Sequence, residues 1–357
     1  MRPPDLLLAR RRRAIGEISA PELTEAEDLA IANVVRAQED LGLQVATDGE
    51  FRRNQWNVDF ISSFENAQIV PGKVPVPFHS QRGDVERMPL GVEVTGKISR
   101  KRPIFVEHFK YLNSIARVVP KITIPSPTSM HFRGGREAVD KNAYPDMDEF
   151  YADLGQVYGE EVTDLGKAGS RYLQIDEVNL AYLCDPNLSQ QVLRNLQTTR
   201  EALLRLYAKL INAVIAAAPP GMTVYLHLCR GNFKSMWVAE GGYDPVAELL
   251  FNEIDAHGYL LEYDSPRAGG FEPLRFLPKG KVAVLGLVTT KTPELEKPGD
   301  LKRRIDEAAR YVSLDQLALS PQCGFASAAE GNAVTEADEI AKLRLVVETA
   351  REVWSSA

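Results

Sequence analysis

Cysteine is scarce in this chain: three in 357 residues, beside only five histidines. So few thiols make no disulfide framework, and a reducing compartment, the cytoplasm, is expected. Long apolar runs are missing too. Nothing approaches the roughly 18 residues that cross a bilayer, and the short LLLA stretch runs into arginines too soon for a secretory signal. There is no basic excess: the formal net charge is −7, which disfavours nucleic acid or an anionic membrane as partner. The cluster Arg10 to Arg13 reads as the solvated face of a helix. No Walker A loop, no GxGxxG after a strand and no GxSxG elbow occurs, so phosphate-driven, dinucleotide and serine-hydrolase chemistry have no support.

What is present is an ordinary globular composition, 44% hydrophobic and 25% charged. Short continuous apolar runs recur at Leu43–Thr47, Lys121–Pro125, Tyr172–Asp176, Thr223–Leu228, Tyr259–Tyr263, Val282–Val288 and Leu317–Ser320. Such runs suit strands buried on both faces of a parallel sheet. Helical patterns lie between them. Thr24-x-x-Glu27 reads as a capping box ahead of Ile31, Val34 and Val35, and the last helix opens near Thr335. Alternation of this kind means an α/β fold, and polar residues at strand ends favour a (β/α)8 TIM-type barrel over a doubly wound sheet. Only seven strands are countable, so the first is expected to be missing or supplied otherwise. Residues about 66 to 118, with Val92–Ser99 and Ile104–Phe109, read as a β-hairpin excursion. With neither linker nor repeat, residues 1–357 read as one domain.

Metal-capable residues sit where strands stop. His227 and Cys229 are two apart in TVYLHLCRGNF and so share a strand face. Glu262 closes GYLLEYDSPR, and Cys323 follows LALSP. Together they make a plausible tetrahedral set for one Zn²⁺. Alternatively, His227 is a satisfied core histidine and the cysteines are small buried apolar residues, as Cys184 is expected to be. In LQIDEVNL only one of the adjacent Asp176 and Glu177 can face a pocket. Asp176 suits a substrate ammonium, or else the N-cap of the next helix. The run TDGEFRRNQWNVDF places Asp48, Glu50, Arg52, Arg53, Trp56 and Asp59 just after a strand. Such density suggests substrate binding, or a salt-bridged surface loop. IPSPTSMHF adds Ser126, Thr128 and His131.

The runs ATDGEFRRNQWNVDF, VTGKISRKRPIFVEHFKYLNSI, IPSPT, LQIDEVNL, LHLCRGNF, LLEYDSPRAG and SPQCGFAS, in this order, resemble the cobalamin-independent methionine synthase family in its short, single-barrel form. The resemblance covers nearly the whole chain and implies a (β/α)8 barrel. It implies His227, Cys229, Glu262 and Cys323 as zinc ligands and Asp176 as the partner of the homocysteine amino group, with Asp59 near a second such carboxylate. It implies attack of a substrate thiolate on an activated methyl, giving a thioether. The partners would be a small-molecule thiol and a methyl donor; a homo-oligomer is compatible. Three departures stand out. The family's first strand, with a Gly-Ser, has no match. Val288 or Thr289 stands where the family has a histidine proton donor, and Tyr182 where it has an acid that meets the pterin. The last two weaken methyl-folate as donor more than zinc-thiol chemistry. A zinc-dependent thiol alkyltransferase that opens epoxides with coenzyme M, or a barrel that binds zinc or a ligand without catalysis, are the competing readings.

Overall fold

The structure is a computed structural model that describes residues 1–72, 75–80, 83–326, 328–329 and 331–354. Helix α1 (Pro4–Ala14) leads to α2 (Ala20–Asp40). The capping box of α2 is not Thr24/Glu27 but lies one turn earlier: Glu22 N–H donates to Ser19 Oγ at 3.4 Å and Ser19 N–H to Glu22 Oε2 at 2.7 Å. Pro21 tolerates the first turn, where its missing N–H forfeits no helical bond, so the helix already includes Thr24. Strand β1 (Val45–Ala46) and the single turn α3 (Val58–Ile61) follow.

Strands β2 (Glu65–Pro71), β3 (Val76–Phe78), β4 (Val85–Arg87) and β5 (Leu90–Ser99) form an antiparallel outgrowth. In it β2 pairs with β5, and β3 pairs with β4 at the tip. The segment Ile104–Phe109 is not part of it. The buried Glu161 carboxylate accepts the N–H groups of Ile104 and Phe105, both at 2.8 Å, and turns the chain into α4 (Val106–Ile115).

The chain then runs through β6 (Val119–Pro120), β7 (Ile122–Pro125), α5 (Met147–Lys167), β8 (Tyr172–Asp176), α6 (Asn179–Tyr182), α7 (Pro186–Asn195) and α8 (Arg200–Ile215). It continues with β9 (Thr223–Leu228), α9 (Asp244–Glu253), β10 (Gly258–Glu262), β11 (Val282–Val288), α10 (Pro298–Ala308), β12 (Leu317–Pro321) and α11 (Glu336–Val353). Strands β7 to β12 pair side by side, each parallel to the next. Strand β6 stands one residue ahead of β7 and pairs in parallel with β1. The result is one parallel α/β arc with its carboxyl ends on one side, the arrangement that gathers strand-end residues into a site. The segment ahead of β1 is helical, so no eighth strand joins β12 to β1 among the described residues. The Arg2 side chain spans that seam instead. It donates to Ala328 O at 2.8 Å on one side and to Glu50 O and Arg53 O at 3.2 Å on the other.

Packing fixes the arc. Gly155 and Gly159, four apart on α5, meet Ala213 and Ala217, where an added Cβ would come within 3.2 Å. Helices α5 and α8 therefore approach closely over the fully buried Leu154, Val162, Leu165, Ile211 and Val214. Each such side chain contributes roughly 1.5–3 kcal/mol by leaving water.

Candidate metal centre and substrate pocket

The carboxyl ends of β9 and β12 bring His227, Cys229 and Cys323 together. One donor atom from each lies within 4.8 Å of the others, and both His227 and Cys229 are buried. His227 and Cys229 share a face, as their two-residue spacing requires. Cys323 Sγ lies 3.6 Å from His227 Nε2. The Cys323 thiol is held well below its ordinary range, first by a hydrogen bond from Cys229 and then by His227. Burial disfavours the His227 cation, but contact with Cys323 outweighs it and the net shift is upward. The buried Nδ1 of His227 has no hydrogen-bond partner. Two thiols and an imidazole, packed together with one sulfur readily ionised, fit a borderline-soft divalent ion such as Zn²⁺. These residues therefore do not behave as inert core groups, whereas Cys184 does. It is buried, its Sγ faces only Leu180 O at 3.8 Å, and burial pushes its thiol up to about 12.

Glu262 ends β10 but is not among those clustered donors. Fully buried, it accepts Arg230 N–H at 2.7 Å on one oxygen and Arg267 at 2.6 Å on the other, with Lys291 Nζ 3.6 Å away. Burial would raise its pKa, yet Lys291, Arg230 and Arg267 outweigh burial and bring it to about 2.

The cluster opens on a cavity of about 770 Å³ that Asp176, Glu50 and Lys121 also line, with Asp176 beside His227 across the β8–β9 pair. Gln174 and Asp176, two apart on β8, point the same way. Gln174 Nε2 donates to Asp176 Oδ1 at 2.7 Å, and Lys121 Nζ donates to Gln174 Oε1 at 2.9 Å. Burial pushes Asp176 up to about 6; His227 opposes this and Glu50 adds to it. The helix cap falls to the neighbouring Glu177, which accepts Asn179 N–H at 2.8 Å, Leu180 N–H at 2.9 Å and Thr128 Oγ1–H at 2.6 Å. Asp176 is thus released from the capping role. Glu50 is aimed by the turn: Gly49 and Glu50 have φ of 63° and 55°, and Asp48 Oδ1 accepts Glu50 N–H at 2.8 Å. A non-glycine residue in that region is a strained choice that active-site walls tolerate. Glu50 then accepts Thr123 Oγ1–H at 2.7 Å and Arg53 at 3.2 Å.

The other expected residues divide. Trp56 lines the cavity. Asp59 does not: its carboxylate accepts Asn54 N–H at 3.0 Å and Gln55 N–H at 2.9 Å, which folds the turn ahead of α3. Glu50, not Asp59, lies near enough to Asp176 to raise its pKa. Arg52 pairs with Glu27 at 3.1 Å and with Asp28, behind the pocket wall. Ser126 is fully buried and bonds Thr128. His131 is a core residue against Tyr207, its pKa lowered to about 4 by burial. Arg10 is not wholly a solvated residue, since it bonds Glu27 at 2.9 Å and Phe51 O. Tyr182 does line the cavity, beside Arg133. From the end of β11 the residue that approaches the centre is Lys291, not Val288 or Thr289. Lys121, Gln174 and Lys291 escaped the sequence reading. The two-residue spacing of Gln174 and Asp176 was the signal available for one of them.

A parallel α/β fold with two cysteines, an imidazole and carboxylates around one strand-end cavity defines a barrel-like α/β protein with a metal-capable centre. Residues 4–352 match the family model described as the catalytic domain of cobalamin-independent synthase, and the chain belongs to that methyltransferase family. It is 45% identical to YxjG, an uncharacterised protein of Bacillus subtilis (strain 168), over 97% of this chain and 90% of that one. A Listeria monocytogenes crystal structure, solved as a candidate vitamin-B12-independent methionine synthase, is 32% identical with a TM-score of 0.77, over 99% of this chain and 95% of that one. The methionine synthase of Pyrococcus abyssi (strain GE5 / Orsay) is 24% identical over 91% of this chain and 83% of its own length. No helix among the described residues is long and apolar enough to cross a membrane.

Proposed function

We propose that the protein is a zinc-dependent methyltransferase that moves a methyl group onto the thiol of an amino acid, homocysteine, giving methionine. The observation that carries this reading is one cavity lined both by a His227/Cys229/Cys323 donor group and by the Asp176/Glu50 pair. His227, Cys229 and Cys323 would hold Zn²⁺, with Glu262 as an exchangeable fourth ligand. Bound there, the ion keeps a coordinating substrate thiol deprotonated at neutral pH. Asp176 and Glu50 take the substrate ammonium, and Lys121 balances their charge through Gln174. The thiolate attacks the methyl carbon. The sulfur–carbon bond forms as the donor–methyl bond breaks, and its electron pair stays with the donor. A poor amine leaving group would also need a proton.

Zinc per chain in the wild type, Cys323→Ala and His227→Ala tests the centre. Near one in the wild type and near none in both variants is expected; equal stoichiometric zinc in all three would defeat it. Assays with methyl-folate, methylcobalamin, S-methylmethionine and an epoxide with coenzyme M then separate methyl transfer from epoxide opening. Retained zinc with no thiol alkylated by any donor would mean a binding protein.

A further inference from the structure

Glu262 is a fully buried carboxylate held between cationic side chains at the strand-end face. One oxygen faces the Arg230 N–H at 2.7 Å; the other is shared by Arg267 at 2.6 Å and Lys291 Nζ at 3.6 Å. Asp264 Oδ1 holds the same Arg267 nitrogen at 2.8 Å and Asp264 Oδ2 lies 3.9 Å from Lys291 Nζ. Arg267 is further seated on the Trp237 ring, 4.7 Å from its centroid. Arg230 is occupied elsewhere, donating to Gly241 O, Tyr243 Oη and Glu262 O.

Lys291 is different. Its side chain is 5% exposed, and its Nζ makes no hydrogen bond among the described residues. A buried ammonium with unused donors is expensive unless it has a use. It lies just past the end of β11, whose register against β12 shifts between Gly286 and Val288. Gly286 permits this, since a Cβ there would stand 2.8 Å from Leu261 O and Gln322 Cα.

We infer that Lys291 and Arg267 form a cationic cradle that competes with the metal for the Glu262 carboxylate, and so set how readily that ligand gives way to the substrate thiol. This rests on the metal reading above. Without the incoming thiol, Glu262 is divided between metal and cradle. When a thiolate takes the fourth position, the carboxylate withdraws, and the unused donors of Lys291 close on it. Its negative charge then remains compensated in a buried place, where an uncompensated charge is costly. With Arg267 and Lys291 against Asp264, the cradle carries one excess positive charge, which accepts the displaced anion. Lys291 and Arg267 are positioning residues in this account, since they act through Glu262 and touch neither substrate nor the clustered donors.

The full chain, loaded with Co²⁺ in place of Zn²⁺ and titrated with L-homocysteine, tests the cradle by the visible ligand-field and sulfur-to-cobalt charge-transfer bands. In Lys291→Met the freed carboxylate stays on the metal. Homocysteine should then be needed at about tenfold higher concentration to develop the added charge-transfer band, and Co²⁺ should leave more slowly to a chelator. Lys291→Arg should restore both. Arg267→Gln should shift both readouts in the direction of Lys291→Met and serves as the probe should that variant not fold by circular dichroism. Titrations of Lys291→Met and Arg267→Gln that superimpose on the wild type overturn the cradle while leaving the metal site standing. A Glu262→Gln spectrum identical to the wild type also overturns it, because Glu262 would then not be a ligand. Failure of the wild type to take up Co²⁺ defeats the metal reading itself.

Discussion

The carboxylate and sulfur parts of the cavity, neighbours where Asp176 pairs with His227 across β8 and β9, are stabilised in opposite ways. In the carboxylate part each charged group has a fixed neutral or cationic neighbour: Asp176 has Gln174, Gln174 has Lys121, and Glu50 has Thr123 and Arg53. In the sulfur part the clustered donors face one another, and His227 Nδ1 is left without a partner. A site whose polar groups are already satisfied recognises by shape and charge, because its geometry is set before the ligand arrives. A site where two thiols and an imidazole crowd onto one another, with one buried ring nitrogen unpartnered among the described residues, is suited to a cation that joins them. The first is suited to hold the part of a substrate that does not react, the second to hold the atom that does.

The comparison breaks most visibly at Asp176. Asp176→Asn keeps the shape and the Gln174 contact but removes the charge that pairs with an ammonium. KM for homocysteine should rise on the order of a hundredfold, with zinc content unchanged. Unchanged KM would remove amino-group recognition from this part. The pH dependence is the next largest effect. Because burial pushes Asp176 up to about 6, it loses its charge as pH falls through 6, and an ammonium partner is lost with it. KM should be flat above that value and climb about tenfold per unit well below it. In Asp176→Asn this acid limb should vanish. If the limb persists unaltered in the variant, it belongs to the sulfur part, whose donors must also shed protons to bind a metal.

The sulfur part was the more legible in sequence. With three cysteines in the chain, two of them just past apolar runs, and a histidine two residues from one, strand periodicity alone brings the group near one strand-end face. The fold was legible for a similar reason: continuous apolar runs between amphipathic helices leave few alternatives. The carboxylate part was less so. Asp59 and Glu50 both follow β1 in a charged loop, and only the backbone decides between them: two successive positive φ angles swing Glu50 inward, while Asp59 closes a local turn. Lys291 lies just past the end of β11, where strand periodicity no longer says which side chain turns toward Glu262. The α2 start was misplaced because two capping boxes stand five residues apart, and a proline in the first turn chose the earlier one. Side-chain roles fixed by turns and bulges depend on dihedral angles that residue types only weakly restrict.

Arg52 gives the smallest effect and the sharpest control, because sequence placed it with Glu50 while the structure puts it behind the pocket wall. Its guanidinium pairs with Glu27 at 3.1 Å and with Asp28, and lies over the Tyr111 ring. Burial raises the pKa of Glu27, and Arg10 and Arg52 pull it back. In Arg52→Ala, Glu27 keeps only Arg10, and its charged form costs more in the folded chain. Stability at neutral pH should fall by about 1–3 kcal/mol, with KM for homocysteine and zinc content unchanged. The sign of the pH effect follows. A carboxyl whose folded pKa lies above its unfolded value binds its proton more tightly in the native state, so it weighs against folding as pH rises through the folded pKa. Removing Arg52 raises that pKa further. The deficit in thermal midpoint should therefore be greatest at neutral pH and shrink toward pH 5, as Glu27 takes up its proton. A deficit that stays constant down to pH 5 would mean that Arg52 matters through Tyr111 and not through Glu27, and a raised KM would return it to the cavity wall.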